Sequence, residues 1–404
     1  MAEAFFVAQR IPNLLRDLAG EGAANAAIVP VLTEYCHKKS RVEWQELINV
    51  VMLWGMIILG AITVAGMIAA PLIVRLMAPG FVGDAAKFQL TVDLTRIMFP
   101  YLVLIALTAF QVGILYSLQA FFVPAFGPCL LNVAMILSAW LACLFSWHLA
   151  YALSVGVLVG GVWQFWAQWA ALKKQGVVWG KARTLNHDGA KKIWSLLIPR
   201  LWGSGVYQLN IVVDTFCASL ATIVGAGGIA AVYYANRIVQ LPLGVFGYAL
   251  SSVTLPSLSK LAHEGKIQEL RSTLMFALRK LMLVLVPCAV IMVVFAGLII
   301  HLVFERGSFD AYSTRITAQA LMFFALGLPF YGASRILVSA FYALQDTKTP
   351  VKAATACLLI NVALNVVLMF PLKIGGIALA SSISSMANSW ILWTSLNKKL
   401  GRSP

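Results

Sequence analysis

The sequence has few charged residues and no pairing pattern among its cysteines. Charged residues make up only 11% of the 404 residues, whereas hydrophobic residues make up 61%. This composition excludes a soluble globular protein. The six cysteines show no paired spacing, so neither a disulfide framework nor a cysteine-based metal site is expected. We interpret them as small core residues.

Two further absences restrict the function. The five histidines are scattered without the spacing of metal ligands, and no Walker A loop is present. Zinc chemistry and direct use of ATP are therefore not expected. An intramembrane enzyme acting on polyprenyl phosphates would need clustered acid/base or nucleophilic side chains near the interface, and the sequence contains no such cluster. A transporter is favoured over an enzyme.

Apolar stretches of about 20 residues, long enough to cross a bilayer, recur from end to end. Backbone amides in lipid must be paired within the segment, so these stretches are expected to be helices. The sequence thus predicts an all-α polytopic membrane protein. About eleven spans are expected, near 4–34 (broken), 46–77, 91–119, 124–147, 151–172, 193–222, 227–259, 272–303, 315–345, 351–370 and 375–396.

The formal charge of +15 could indicate nucleic acid, but the placement of the basic residues argues against it. They follow the first, fifth, seventh and ninth spans and close the chain, whereas the intervening links carry little charge. By the positive-inside rule the basic links and the C-terminus are cytoplasmic, and the first residues lie outside. Since Met1-Ala2-Glu3 has no signal-peptide character, we expect that a preceding helix is missing.

The chain contains an internal duplication. The pattern Tyr-x-Leu-Gln-x-x-x-x-Pro begins at Tyr116 and again at Tyr342, a shift of 226 residues. Long repeats in an apolar chain are typical of transporters with two bundles around a central site. We therefore predict an N-terminal lobe at 1–175, a basic cytoplasmic linker at 176–192 and a C-terminal lobe at 193–404. Chance similarity between hydrophobic helices is the alternative.

The first span is the least apolar. Five charges interrupt it: Glu3, Arg10, Arg16, Asp17 and Glu21. Pro12-Asn13 and the Gly20-Glu21-Gly22 cluster should bend or unwind the helix. Intramembrane charges usually face a bundle interior or a hydrated cavity, so a cavity-lining helix is predicted. Structural ion pairs inside the bundle are the alternative.

Several motifs resemble those of the bacterial lipid II flippases (MurJ, also called MviN). The resemblance covers nearly the whole chain and implies two helical lobes around a central cavity, as in the superfamily that includes multidrug and toxin extrusion transporters. Family members usually have fourteen helices, and this chain is similar to the second through twelfth. The motifs are Ala4-Phe5-Phe6-Val7-Ala8, Ile11-Pro12-Asn13-Leu14-Leu15-Arg16, Ala78-Pro79-Gly80-Phe81, Tyr233-Tyr234-Ala235-Asn236-Arg237 and Asp346-Thr347-Lys348-Thr349-Pro350.

The resemblance implies flipping of lipid II, the undecaprenyl-pyrophosphate disaccharide-pentapeptide, across the bacterial inner membrane. The implied partners are lipid II, membrane lipids and other cell-wall synthesis proteins, with no nucleic acid. Arg16 and Arg237 match basic positions of the family's substrate cavity, with Arg10 a third; the acidic Glu3 and Glu21 belong to the same predicted site. Guanidinium groups suit a pyrophosphate because they remain charged and bind phosphate oxygens bidentately.

A second predicted site concerns energy coupling. Asp214 lies inside a span, Asn361 and Asn365 are one turn apart on the same helix face, and Ser381 lies early in the last span. Such oxygen ligands suit a hard cation. The resemblance implies a sodium site, although a second acidic residue can replace Asn365 in the family. Alternatively, Asp214 is protonated or ion-paired, and the polar residues hold helices together.

Other functions remain open at this stage: a multidrug or cation antiporter, another lipid-linked oligosaccharide flippase, or an inactive truncated scaffold. A cavity lined with arginine would repel cationic drugs and argues against the antiporter. Five more arginines could line a cavity or extend to the membrane interface, and the sequence does not distinguish these roles: Arg75, Arg96, Arg200, Arg279 and Arg335.

Overall fold

The computed structural model describes residues 1–19, 23–180, 182, 184 and 187–401, apart from the side chains of residues 15–19, 23–27, 37, 198–204 and 206–207. The described residues are almost entirely helical and contain no strand, which confirms the all-α prediction. The helices are α1 (Ala2–Ala19), α2 (Ala23–Lys38), α3 (Arg41–Met77), α4 (Ala85–Met98), α5 (Tyr101–Ser117), α6 (Phe122–Leu144), α7 (Leu149–Lys174), α8 (Asp188–Ser219), α9 (Ala221–Val224), α10 (Gly228–Pro242), α11 (Ala249–His263), α12 (Ile267–Val294), α13 (Ala296–Phe304), α14 (Ala311–Ala343), α15 (Lys348–Leu372) and α16 (Ile374–Leu400).

Eight helical stretches of the described residues are long and apolar enough to cross a bilayer. Large apolar side chains on them are exposed, such as Ile68, Leu283 and Leu359. Water would solvate such a surface poorly, whereas lipid tails accommodate it. The protein is therefore a multi-pass membrane protein. The expectation of about eleven spans stays a prediction.

The chain folds into two compact units. The first comprises Met1–Met77 and Phe81–Gln208, and the second comprises Ala78–Gly80 and Leu209–Pro404. The division lies within α8, beyond the segment 176–192 that the sequence analysis treats as a linker. The break predicted near Gly20–Gly22 lies outside the described residues; α1 continues through Pro12 to Ala19, and α2 begins at Ala23.

In the first unit, α1 packs against α4 and α5, and α2 packs against α5. Phe5 of α1 is buried in a cluster with Leu94, Met98 and Tyr101. Because this face of α1 is apolar at every turn, it orients the helix and thereby sets the direction of its charged residues.

The segment that follows α7 is held on α3 rather than extended as a free linker. Arg41 donates to the carbonyl oxygens of Gln175 and Gly176 at 3.0 and 3.1 Å. Gln45 bonds both the N–H and the carbonyl of Val178, and Asn49 accepts from the N–H of Gly180. One face of α3 thus pairs successive backbone groups, which places this segment in the first unit.

The second unit is organised around α14, which packs against α10, α11, α12, α13 and α16. Helix α16 also packs against α15. A Cβ on Gly376 of α16 would lie 2.1 Å from the carbonyl oxygen of Leu368 in α15, so only glycine fits there. This close approach brings the polar residues of α15 and α16 together.

The duplicated motif has the same backbone conformation in both units. Gln119 and Gln345 both have φ 57°, a left-handed conformation that few residues other than glycine adopt. The N–H of Gln119 donates to the carbonyl of Tyr116, and that of Gln345 donates to the carbonyl of Tyr342, at 3.1 and 3.0 Å. A helix end of the same type follows the same sequence at a shift of 226 residues, which supports the duplication over chance.

The loop after α14 carries a carboxylate that its first-unit counterpart lacks. Asp346 accepts hydrogen bonds from Lys399 Nζ at 2.8 Å and from the Thr349 hydroxyl at 2.8 Å. Burial alone would raise the pKa of Asp346, but the hydrogen bonds from Lys399 and Thr349 outweigh it and lower the pKa to about 2. Asp346 therefore stays ionised at neutral pH and joins this loop to the end of α16.

Candidate functional site

Four residues predicted as a cation site meet in the second unit. Asp214 of α8 accepts hydrogen bonds from Asn365 Nδ2 of α15 at 2.9 Å and from Ser381 Oγ of α16 at 2.8 Å. Asn361, one turn before Asn365, accepts from Asn365 Nδ2 at 3.0 Å and donates to Ser381 at 3.3 Å. We call these four residues the Asp214 cluster. Two consecutive helices, α15 and α16, and the distant helix α8 contribute to it.

Burial makes the cluster costly unless its polar groups are paired. Asn361 is 1% exposed and Asn365 0% exposed, and the Oδ1 atom of Asn365 has no hydrogen-bond partner. An unpaired buried carbonyl oxygen costs about 1–3 kcal/mol of folding free energy. The cluster therefore contains an acceptor without a donor, next to a carboxylate.

The oxygen atoms of the cluster are of the type that binds a hard monovalent cation. The Asp214 carboxylate, the two amide oxygens and the Ser381 hydroxyl are all oxygen ligands, and the unpaired Asn365 oxygen would gain a partner. Among the described residues, no three His, Cys, Asp or Glu side chains gather in one place, so this part of the chain offers no transition-metal site. With a single carboxylate, the cluster suits one positive charge.

Three members of this cluster correspond to apolar residues in the described part of the first unit. At the shift of 226 residues, Asn361, Asn365 and Ser381 correspond to Met135, Ala139 and Val155. These apolar side chains offer no oxygen ligand. At this shift, the α15 and α16 members of the predicted cation site therefore have no oxygen-bearing counterparts.

Arg237 lies on an exposed face of α10. Its Nη2 donates to the Tyr233 hydroxyl at 3.0 Å, its Nη1 contacts Gln240 Oε1 at 3.5 Å, and its guanidinium carbon lies 5.0 Å from the centre of the Tyr233 ring. Both partners are neutral, so they orient the guanidinium without cancelling its charge. Tyr233 and Gln240 were not predicted as partners of Arg237. The available signal was their spacing, four residues before and three residues after Arg237, which places them beside it on the helix.

The predicted residues of α1 are only partly described. Glu3 forms an ion pair with Lys87 of α4 at 2.5 Å, and Lys87 Nζ also lies 4.0 Å from the centre of the Phe81 ring. The Glu3 and Lys87 side chains are 14% and 24% exposed, so water screens this pair poorly. Lys87 was not predicted as a partner; its isolation as a basic residue in its link was the available signal.

Of the other predicted site residues of the first span, only Arg10 has a described side chain. Arg10 is half-buried on α1, two turns after Glu3. The Arg16 side chain and Glu21 lie outside the described residues, so their predicted roles stay predictions.

Comparison with known proteins decides the family. The sequence model of the family described as lipid II flippase MurJ matches residues 1–403. The chain belongs to the lipid II flippase MurJ family. A MurJ relative, the lipid II flippase of Burkholderia cenocepacia, is 35% identical over 404 residues, which cover 98% of this chain and 77% of the relative. A probable MurJ of Rhizobium tropici is 36% identical over 411 residues, covering 99% and 75%.

Solved structures agree with this assignment. A structure of lipid II flippase MurJ in its inward closed conformation matches with a TM-score of 0.85 and 28% identity, covering 98% of this chain and 81% of that chain. An inward-facing multidrug resistance transporter of the MATE family and MOP superfamily matches with a TM-score of 0.78 at 16% identity, covering 99% and 91%. At that identity, the second match shows the fold alone. The resemblance noted from the motifs is confirmed.

Proposed function

We propose that this protein translocates lipid II across the bacterial inner membrane by alternating access. The observation that carries the proposal is membership of the MurJ family over residues 1–403, whose relatives are named as lipid II flippases. The exposed, uncancelled guanidinium of Arg237 gives the substrate's negative charge a binding group. The protein acts as a transporter rather than an enzyme.

The substrate's chemistry explains why cations are needed. A pyrophosphate cannot enter a region of low dielectric without compensating charge, because burying an unpaired ion costs many kcal/mol. The guanidinium of Arg237 is always charged and presents several N–H donors in one plane, which match phosphate oxygens. Arg16 and Arg10 of α1 carry the same kind of group, and their role in phosphate binding stays a prediction.

We also propose an orientation. The basic residues after the first, fifth, seventh and ninth spans and at the C-terminus place these links in the cytoplasm. In this orientation the loop at Asp346 and the end of α16 are cytoplasmic. Cysteine-accessibility labelling of Gly401→Cys would support this orientation if only a permeant reagent reacts.

The Asp214 cluster is proposed to bind sodium and to couple its gradient to transport. When bound, sodium would be coordinated by the Asp214 carboxylate together with the other oxygen atoms of the cluster. Ser381 would rotate its hydroxyl from donating to Asp214 to offering its lone pairs, and Asn365 would present Oδ1. Shared coordination of one ion would thus replace the direct hydrogen bonds that join α8 to α15 and α16.

The test of the substrate role is Arg237→Ala. We expect this variant to lose rescue of cells depleted of their own lipid II flippase, because one bidentate charge-assisted contact contributes about 1.5–3 kcal/mol, or a tenfold to hundredfold effect. Arg237→Lys should rescue partially, because it retains the charge but not the planar fork. Rescue is measured as colony formation, with the membrane level of each variant quantified.

Arg306→Ala is the matched control. Arg306 is an exposed arginine of the same unit outside the spans, and its Nη2 also bonds a neutral acceptor, the Val303 carbonyl. It should rescue fully. Full rescue by Arg237→Ala at normal membrane level would remove Arg237 from the substrate site, and failure of the unmodified chain to rescue would contradict the proposed function itself.

A further inference from the structure

A stripe of polar residues and one glycine follows the segment from α10 to α11. Successive members are three or four residues apart along the chain, so they lie on one side of the helix. Four of the six are exposed and the other two are partly exposed. The members are Tyr233, Arg237, Gln240, Gly244, Tyr248 and Ser251.

An apolar stripe runs beside it, with Leu241 67% exposed, Val245 58% and Val253 71%. The exposed surface of this segment thus separates into an apolar side and a polar side. Lipid is the natural neighbour of the apolar side, and the polar side requires water or a polar ligand.

The backbone departs from α-helix along this polar stripe. Residues Leu243–Tyr248 form a π-helix, a conformation that is rare and is often found at functional sites. A Cβ on Gly244 would meet no atom within 4 Å. The surface beside the π-helix is therefore open, and no side chain of the described residues fills it at that point.

Arg335 of α14 faces this stripe. Its guanidinium carbon lies 3.6 Å from the centre of the Tyr248 ring, and its Nη2 donates to the Tyr248 hydroxyl at 2.5 Å. One turn later, the hydroxyls of Ser251 and Ser339 are hydrogen-bonded at 2.8 Å. Arg335 thus lies flat against the neighbouring helix, rather than extending along α14 towards the membrane interface as a snorkelling arginine would.

The charge of Arg335 is not cancelled by these contacts. Tyr248 is neutral, and no carboxylate of the described residues forms an ion pair with Arg335. A cation within a membrane span needs water or an anion nearby. The same description applies to Arg237, which Tyr233 orients in the same way. Two tyrosines of the polar stripe, Tyr233 and Tyr248, therefore each hold an arginine, and they lie about 20 Å apart along the helix at roughly 1.5 Å of rise per residue.

We propose that Arg335, held by Tyr248, is a second anion-binding residue for the pyrophosphate of the lipid-linked substrate, at a different membrane depth from Arg237. This inference rests on the proposed function. A planar guanidinium with one edge bonded to the Tyr248 hydroxyl can offer its other N–H donors to phosphate oxygens. In the proposed orientation, Arg335 lies nearer the cytoplasmic end and meets the substrate before Arg237 does.

The test measures binding by the purified full chain in lipid nanodiscs. The probes are farnesyl pyrophosphate and inorganic pyrophosphate, titrated by calorimetry into unmodified protein, Arg335→Ala, Arg335→Lys and Tyr248→Phe. Arg335→Ala should bind farnesyl pyrophosphate about tenfold more weakly, because one charge-assisted contact is lost. Arg335→Lys should lie between, and Tyr248→Phe, which retains the ring, should change affinity less than Arg335→Ala. Lys280→Ala, which removes an exposed cation stacked on Phe276 in the same unit, is the control and should bind normally.

Each outcome is decisive. Weaker binding of both probes assigns Arg335 to the pyrophosphate group, and weaker binding of the farnesyl probe alone assigns it to the lipid-linked form. Unchanged probe binding by a folded Arg335→Ala or Arg335→Lys protein overturns the inference. If Arg237→Ala, titrated in the same way, still weakens binding, the proposed function stands. If the unmodified protein binds neither probe, the proposed function fails instead. Thermal unfolding without probe identifies a variant that has lost its fold. If Arg335→Ala does not fold, the binding measured with Arg335→Lys decides the inference.

Discussion

Replacing Asp214 by asparagine removes the single negative charge of the Asp214 cluster while keeping the shape of the side chain. The fold should tolerate the change. The amide oxygen can still accept from Asn365 Nδ2, and the Ser381 hydroxyl can rotate to accept from the new N–H group. We expect a loss of at most about 1 kcal/mol in the free energy of unfolding without sodium.

The effect on sodium binding should be larger. A unit charge about 4 Å from a cation contributes about 4 kcal/mol at an effective dielectric constant of 20. Desolvation of the ion and reorientation of the amides of Asn361 and Asn365 offset part of this attraction. Sodium affinity should therefore fall at least tenfold, which corresponds to about 1.4 kcal/mol.

The assay is thermal unfolding of the purified protein in sodium and in potassium chloride at equal ionic strength. A ligand at a hundred times its Kd stabilises a protein by about 2.7 kcal/mol, so the unmodified protein should unfold at a higher temperature in sodium. Asp214→Asn should lose this difference. Asp93→Asn, which changes a half-buried carboxylate of α4 bonded to Gln89, should retain it. An equal sodium effect in Asp214→Asn and the unmodified protein would refute the site.

Three further predictions concern stability. Glu3→Lys should lower the free energy of unfolding by about 3 kcal/mol, because it leaves Lys87 poorly solvated beside a like charge. The double variant Glu3→Lys with Lys87→Glu restores an ion pair and should recover most of this loss. If urea unfolding shows no recovery in the double variant, the ion pair does not stabilise the protein as argued. Asp346, whose pKa is depressed to about 2, should stabilise the protein above pH 4 by about 1 kcal/mol and lose this contribution as the pH falls from 4 to 2. Asp346→Asn should flatten the dependence of unfolding free energy on pH in this range. An unchanged dependence in Asp346→Asn would contradict the role given to the Asp346 carboxylate. Gly376→Ala should lower the free energy of unfolding by about 1–3 kcal/mol, because the added Cβ has no space. Gly297→Ala is the control and should be near neutral, since no atom lies within 4 Å of an added Cβ there. Equal melting temperatures of the two variants would refute the packing argument.

Some of the candidate site could be predicted from local sequence. Asn361 and Asn365 are four residues apart, so a shared helix face followed from spacing alone. Their contact with Asp214 did not follow from spacing, because residues some 150 positions apart can meet in many ways. The prediction of that contact depended on the family resemblance. The π-helix at Leu243–Tyr248 was missed, since no residue pattern in the span 227–259 distinguishes a π-helical turn from an α-helical one.

The amino-acid sequence was sufficient for the helical class, the membrane location and the duplication. These properties depend on local chemistry: lipid forces the backbone to pair within each segment, and a repeated motif such as the one at Gln119 and Gln345 produces the same helix end wherever it occurs. The pairing of polar groups required the folded chain. Whether Lys87 meets Glu3, or Arg335 meets Tyr248, depends on how far each helix is rotated and how deep it lies against its neighbours, and the packing of many apolar side chains sets both.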